Sequence, residues 1–490
     1  MLTPILDSLL IFSIITPVIG SLIPKKFSRL LSGIFAVIGL SFSAAFLYIV
    51  FPQISAKPMK IPIQAGLLHA NLILDLPGFF AAFLTILLSI SVAIYSIRFM
   101  ERDAGVPLYY ALLILMTVGM IGSVFSGDLF TLFVFWELMC VSSYVLVGFR
   151  RTEKAPVEAA VKYMVMSAAG SATILFGISI LYGLAGTLNL VELASALSSA
   201  NGEPWLYLTL IILIAGFGIK AAIVPLHTWL PDAYAAAPSS VSAIIAGAST
   251  EIAVFVICKL LFFILPALSA SWVFLFAAFS VLNMLLGNVV GLLQHDIKRM
   301  LAYSSIAHIG YIFIGVAAGT KLGLTAALLH IFNHGLLKAL AFLCIGAIIY
   351  RLGAGDLDEI SGIGRKMPIT ASAFIIAILG LIGMPPLNGF ISKLFLFMSS
   401  LDSGMLWLGI LLVIFSAVST GYYLRILKTL IAAPSSRVVN VKEAPITMLV
   451  PVCVLAVLVV VLGVWPDPLL GLAKEASTWL MEVEKYVGGF

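Results

Sequence analysis

Residues 328–343 read LLHIFNHGLLKALAFL, a greasy run that carries His330, His334 and Lys338. On an α-helix each step of four residues turns about 400°, a net advance of about 40°, so the three lie along one stripe of one face. Three ionisable groups in a row do not belong in an ordinary apolar core helix. The rest of the chain says what solvent surrounds them. Of 490 residues 62% are hydrophobic and 10% charged, against about 25% charged in soluble domains. The mean hydropathy is +1.17. This composition excludes a soluble multi-domain protein and predicts an all-α membrane protein of many helices.

Runs of predominantly apolar residues long enough to cross a bilayer predict about fourteen transmembrane helices. They cover 4–23, 30–52, 74–98, 107–125, 129–149, 160–184, 205–229, 238–264, 271–293, 300–319, 322–350, 368–396, 404–430 and 446–466. The first is read as a retained span, because a basic n-region and a small-residue cleavage site are missing. The tail after Pro466 reads as an amphipathic interfacial helix. Loop charges then fall on two faces. One collects Lys25, Lys26, Arg29, Arg98, Arg102, Arg150, Arg151, Lys154, Lys298, Arg299, Arg351, Arg365, Lys366, Lys428, Arg437 and Lys442. The other collects Lys57, Lys60, Lys259, Lys321, Lys474 and Lys485. The crowded face is expected in the cytoplasm, with both termini on the outer face of the cell membrane. The net charge of +5 therefore reflects loop bias and implies no nucleic-acid partner.

Glu137, Lys162, Lys220, Glu251, Lys338, Lys393 and Arg425 remain inside spans, with His308, His330 and His334. A charge at mid-bilayer costs about 2.5–3.5 kcal/mol on insertion scales, so such a group is by default a pathway or relay candidate. Lys162 and Arg425 sit near span ends and can reach the interface. Arg425 is given no role, and Lys162 and His308 are secondary candidates. Glu137 and Lys220 have no such escape. The His330–His334 spacing suits a metal pair, but Lys338 beside it is a poor neighbour for a cation, and no metal is expected. Cys140, Cys258, Cys344 and Cys453 lie in apolar runs without CxxC spacing. Neither an iron–sulfur centre nor a dinucleotide or phosphate fingerprint is present, so no cofactor is expected.

Two spans are interrupted by proline. Pro225 follows Lys220, and Pro385 and Pro386 precede Lys393. Proline removes a backbone donor and frees a carbonyl, which a membrane tolerates only where protein or water satisfies the freed group. Paired broken helices point to a transport pathway. Here they are the seventh and twelfth spans, five apart. That predicts two five-helix units, helices 4–8 and 9–13, with inverted topology. The expected organisation is residues 1–106 with helices 1–3, residues 107–264 and 265–430 with the two repeats, and residues 431–490 with the last helix and tail.

The segments FVFWELMCVSSYVLVGF, GIKAAIVPLHTWLPDAYAAAPSSVSAIIAG, QHDIKRMLAYSSIAHIGYI, LLHIFNHGLLKALAFL and GMPPLNGFISK resemble the antiporter-like membrane subunits. Respiratory complex I, Mrp-type cation/proton antiporters and membrane-bound hydrogenases share that family. The resemblance spans roughly residues 70 to 430. It implies that Glu137 is the fifth-helix glutamate paired with the seventh-helix lysine, Lys220. It implies that Lys338 is the central lysine of the eleventh helix, with His330 and His334 on its stripe, and Lys393 the ionisable residue of the twelfth. Lys162 and His308 match recurrent positions in helices six and ten. Other membrane subunits of a multi-subunit complex are the implied partners.

One position departs from the pattern. Many relatives carry lysine or histidine in helix eight, where this chain reads AGASTEIAVFVICK and places Glu251. A carboxylate there could pair with Lys220 or Lys338, or offer oxygens to Na⁺. The AAPSSVSA stretch and the short tail favour an Mrp-type Na⁺/H⁺ antiporter subunit, or one from an Mrp-related ferredoxin-linked complex. The alternatives are a proton-pumping subunit of a complex I-like oxidoreductase and a structural subunit with an altered path. The energetics suit any pumping version. Moving one proton against 100 mV takes about 2.3 kcal/mol, and a change of two pKa units supplies about 2.7 kcal/mol.

Overall fold

The computed structural model describes residues 11, 12, 15, 16, 25–65, 68–198, 204–435, 437, 438, 440–482 and 486. The first expected span, 4–23, lies largely outside them. Helix α1 covers Lys25–Ile54. A hairpin follows, with β1 Met59–Ala65 antiparallel to β2 Leu68–Leu74. Next come α2 Leu76–Phe99, α3 Val106–Phe125, α4 Leu129–Val147, α5 Lys154–Ala185, the short α6 Leu190–Leu197, α7 Pro204–Lys220 and α8 Trp229–Ala236. Helix α9, Ser239–Ile264, contains two π-helical stretches, Ile245–Ser249 and Leu260–Ile264. The remainder is α10 Ser269–Leu292, α11 Ile297–Ala317, α12 Lys321–Leu352, α13 Pro368–Ile382, α14 Asn388–Asp402, α15 Leu406–Ile431, α16 Ile446–Val464 and α17 Asp467–Met481.

Among the described residues, 11 helices are long and apolar enough to cross a membrane. The two interrupted spans supply the shorter apolar helices α7 and α13. The β-hairpin lies between the expected spans 30–52 and 74–98, where no element was expected. Polar caps set the helix starts. Asp75 accepts from Gly78 N at 2.8 Å, Asp128 from Thr131 N at 2.7 Å, Asp296 from Arg299 N at 2.6 Å, and Thr320 from Gly323 N at 3.1 Å. Each satisfies an orphan amide that lipid could not.

The centre of the molecule is α9, α11 and α12. The 18-residue cores of α9 and α11 are 100% and 94% buried, whereas those of α1 and α15 are 33% buried. The peripheral helices therefore face lipid or neighbouring chains, and the central ones meet only protein. Backbones touch where α9 crosses α12. A Cβ on Gly247 would lie 2.7 Å from Gly335 O, and one on Gly335 would lie 2.4 Å from Gly247 O. Without an aqueous driving force, such small-residue contacts are how membrane helices pack closely. The crossing also fixes a register. Glu251, one turn beyond Gly247, faces His334, the neighbour of Gly335.

Both interruptions are real breaks with satisfied backbone. Between α7 and α8, Asn283 of α10 accepts from Val224 N at 2.9 Å and donates to Ala222 O at 3.1 Å, while Trp229 Nε1 donates to Ile219 O at 2.7 Å. Between α13 and α14, Lys393 Nζ donates to Leu381 O and Ile382 O, both at 2.9 Å. Asn333 Nδ2 donates to Asn388 O, also at 2.9 Å. Helix α16 presses its backbone on this second break. A Cβ on Gly463 would sit 2.0 Å from Pro386 O and 2.6 Å from Asn388 N. Gly463→Ala is therefore expected to destabilise the protein by about 1–3 kcal/mol through overpacking, read as a lower melting midpoint of the purified protein. An unchanged midpoint would mean that α16 does not clamp the break.

Two lysines assigned to loops are instead buried. Lys259, 4% exposed, lies inside α9 and donates to Val124 O at 3.0 Å and Ser126 O at 3.1 Å. Lys298, 5% exposed, donates to Ala235 O at 2.8 Å and Ala237 O at 2.5 Å. Lys298 sits at the edge of an apolar run, where sequence cannot separate a loop from a helix end, whereas Lys259 lies within the expected span 238–264 and belongs with the intramembrane charges rather than the loop set. Each ammonium finds main-chain carbonyls at the end of another helix, a favourable place for a cation. The tail helix α17 also packs more deeply than an interfacial helix would. Ala473, Ala476 and Leu480 are buried, and Ser477 shares a 2.7 Å hydrogen bond with Thr325 of α12.

Candidate functional site

Lys220, Glu251, His308, His330, His334, Lys338 and Lys393 are buried and form a broken line of polar groups through the interior, with Glu137 half-buried at one end. At one end, α4 presents Glu137, which accepts a hydrogen bond from Ser171 Oγ of α5. Lys220 ends α7 and is buried. Its ammonium donates to Ser143 Oγ at 2.9 Å and to Tyr163 OH, and lies 4.8 Å from the centre of the Tyr163 ring. That ring stacks on Trp229 at 3.9 Å. Glu137 and Lys220 do not form an ion pair within 4.0 Å: each holds hydroxyls instead.

The centre is a group of imidazoles around one carboxylate. Glu251 Oε1 lies 2.5 Å from His334 Nδ1, with both side chains buried. The sequence suggested Lys220 or Lys338 as its partner; the α9–α12 crossing delivers His334. His308 from α11 stacks on His334 at 4.7 Å and joins His330, Nδ1 to Nε2, at 3.1 Å. His330 Nδ1 meets Ser392 Oγ of α14 at 2.9 Å. His308 is thus the bridge between the two α12 histidines, which stand 6.0 Å apart. Glu251 Oε2, His334 Nε2 and His308 Nε2 are buried without a protein partner. Buried polar groups of this kind usually hold water.

Lys338 shares the stripe with His330 and His334 but points elsewhere. Its ammonium donates to Leu301 O at 2.8 Å and to Ser304 Oγ, both on α11. Lys393 caps the carbonyl end of α13, donates to Ser416 Oγ at 3.1 Å, and lies 5.0 Å from the Tyr311 ring centre. Lys162 is not part of the buried line. It is half-exposed and binds Glu158 at 2.8 Å and Asp232 at 3.0 Å, with Arg299 on the other oxygen of Asp232. Arg425 donates to Leu292 O at 2.7 Å, as befits a residue with no role in the line.

Residues 126–420 match the family model described as NADH:quinone oxidoreductase/Mrp antiporter, transmembrane. That match covers more than half of the chain. The chain belongs to this family. Subunit N of NADH-quinone oxidoreductase from Desulforamulus reducens is 32% identical over 473 residues, 96% of each chain. F(420)H(2) dehydrogenase subunit N from Methanosarcina mazei is 32% identical over 86% of this chain and 87% of that one. Among solved structures, a chain of the membrane-bound sulfane sulfur reductase, an archaeal respiratory membrane complex, superposes with a TM-score of 0.89 at 27% identity. It covers 99% of this chain and 98% of that one. The protein is a multi-span, antiporter-like membrane subunit of this family.

Within that family reading, the groups that sequence reasoning missed are hydroxyls. Ser143, Tyr163, Ser171, Ser304, Ser392 and Ser416 each touch an ionisable group of the line. Serine and tyrosine are common in membrane helices, so type alone gives no signal. For Tyr163 the neighbouring Lys162 drew attention instead, although it points to the opposite, solvated side.

Proposed function

We propose that this chain is the proton-translocating subunit of a redox-driven membrane complex of the quinone-oxidoreductase kind, without redox chemistry of its own. The identity to subunit N of two oxidoreductases, one over 96% of both chains, carries this reading. It replaces the Mrp-type Na⁺/H⁺ antiporter expected from the AAPSSVSA stretch and the short tail. The site supports the change. A hard cation such as Na⁺ wants several oxygens, whereas Glu251 is faced by the imidazole of His334, against which the rings of His308 and His330 stack in turn. Imidazoles carry protons near neutral pH.

In this reading Glu137 and Lys220 form the switch, the Glu251–His334 pair and His308 receive the proton, and His330, Ser392 and Lys393 pass it on. Lys338 of α12, its ammonium held against α11 by Leu301 and Ser304, sets the charge beside the path. Lys162 serves at most the approach from the surface. The framework would be fourteen transmembrane helices with inverted repeats of helices 4–8 and 9–13. Its parts would be residues 1–106, 107–264, 265–430 and 431–490, with both termini on the outer face of the cell membrane. The proline breaks after Lys220 and before Lys393 support the repeat. Other membrane subunits of such a complex would be the partners.

Proton uptake by vesicles containing the assembled complex separates the readings. It is expected to proceed at the same rate with and without Na⁺. A rate that requires Na⁺ and falls to background in its absence would restore the sodium antiporter reading and make Glu251 its cation contact. Glu251→Lys then reports on the departure itself: transport retained in that variant places the carboxylate in the same role that lysine fills in relatives.

A further inference from the structure

A second concave site lies away from the buried line, where α3 begins, α4 ends and α5 begins. Its volume is about 510 Å³. Polar residues from the 100–105 and 148–154 loops form one side: Arg102, Asp103, Arg150, Arg151 and Glu153. Leu108, Leu112, Val145 and Phe149 form the other. Three guanidinium groups face two carboxylates, and the pairing is uneven. Arg150 holds Asp103 with two bonds, Nε to Oδ1 at 2.8 Å and Nη2 to Oδ2 at 3.2 Å. Arg102 and Arg151 are exposed and make no ion pair among the described residues. The Arg102 guanidinium rests 5.3 Å from the centre of the Tyr350 ring, which steers it without neutralising it.

The apolar side runs the other way, into the membrane. Leu108 is 52% and Val145 41% exposed, and both belong to helices whose spans begin or end at the pocket. The site thus stacks a cationic rim at headgroup level on an open aliphatic groove at acyl-chain level. A free anion would use only the rim, and a hydrocarbon chain only the groove. We infer that this pocket binds one anionic phospholipid, its phosphate between Arg102 and Arg151 and an acyl chain along Leu108, Leu112 and Val145. Basic pockets at the ends of membrane helices recognise such headgroups by the same electrostatics, and the volume falls in the usual range for small-molecule sites.

The test uses the full complex, purified in mild detergent and examined by native mass spectrometry with added phosphatidylglycerol or phosphatidylcholine. Wild type is expected to retain one phosphatidylglycerol that the Arg102→Gln/Arg151→Gln double variant holds at least about tenfold more weakly. Leu112→Trp keeps both arginines and fills the groove. It should lose the same lipid while the complex assembles normally. A phosphatidylglycerol with a photoreactive acyl chain should label residues 102–112 or 145–153 in wild type. Equal retention by wild type and the double variant overturns the proposal, as does equal retention of the two lipids. Displacement by millimolar inorganic phosphate would mark a free-anion site and overturn it too. Absence of label from both segments would mean that another subunit fills the pocket, which is the protein-docking alternative.

Discussion

Lys220→Ala is expected to lower proton transport by the assembled complex about a hundredfold. The side chain is buried beside Ser143 and Tyr163, and among the described residues no other cation reaches those two hydroxyls. Without it, a proton crossing this segment must rest on a neutral hydroxyl or an unsupported water. Placing a charge there costs at least about 2.5–3.5 kcal/mol, which is roughly a hundredfold in rate. Lys162→Ala removes a cation of the same type one residue from Tyr163. Its ammonium sits in a solvated cluster with Glu158 and Asp232, so transport is expected to change little. Proton uptake in vesicles compares the two directly. Equal losses in both variants would mean that Lys162 lies on the path, and equal retention would remove Lys220 from it.

His334→Ala is expected to have the largest effect on stability. It leaves Glu251 fully buried without its only protein hydrogen-bond partner among the described residues. Removing one member of a buried pair typically costs about 3–5 kcal/mol. Glu251→Gln should be milder, because an amide can still bond an imidazole nitrogen. The double variant His334→Ala/Glu251→Leu should recover most of the loss, since no orphan polar group remains. The melting midpoint of the purified complex orders the three. If the double variant melts as low as His334→Ala, the loss comes from packing at the α9–α12 crossing, not from the pair.

Much of this architecture is legible in the residues. Apolar runs place helices α1 to α5 and α9 to α16 close to their observed positions. The prolines at 225, 385 and 386 mark both breaks, because a missing amide has the same meaning in any fold. The buried ionisable set is legible too, since charge within a greasy run has few explanations. Lys298 escaped because it lies at a run end, and Lys259, although within a span, because its carbonyl partners at Val124 and Ser126 come from a segment far away in sequence. The partnership of Glu251 with His334 is likewise invisible one helix at a time. It follows from the contact of Gly247 with Gly335, a relation between two helices. The hairpin at 59–74 has only a weak signal, the short alternating run KIPIQA, which a proline interrupts.

Each buried lysine of the line keeps company with a hydroxyl: Lys220 with Ser143 and Tyr163, Lys338 with Ser304, Lys393 with Ser416. A carboxylate partner would have favoured one charge state. A hydroxyl is ambidextrous: it accepts from an ammonium and, after a turn of its O–H bond, donates to the lone pair of an amine. On the proposed proton path, such a partner would let each amine give up its proton while the heavy atoms around it stay still. In that role the change of charge would be met chiefly by light rotors, an arrangement that suits rapid, repeated reversal better than long storage.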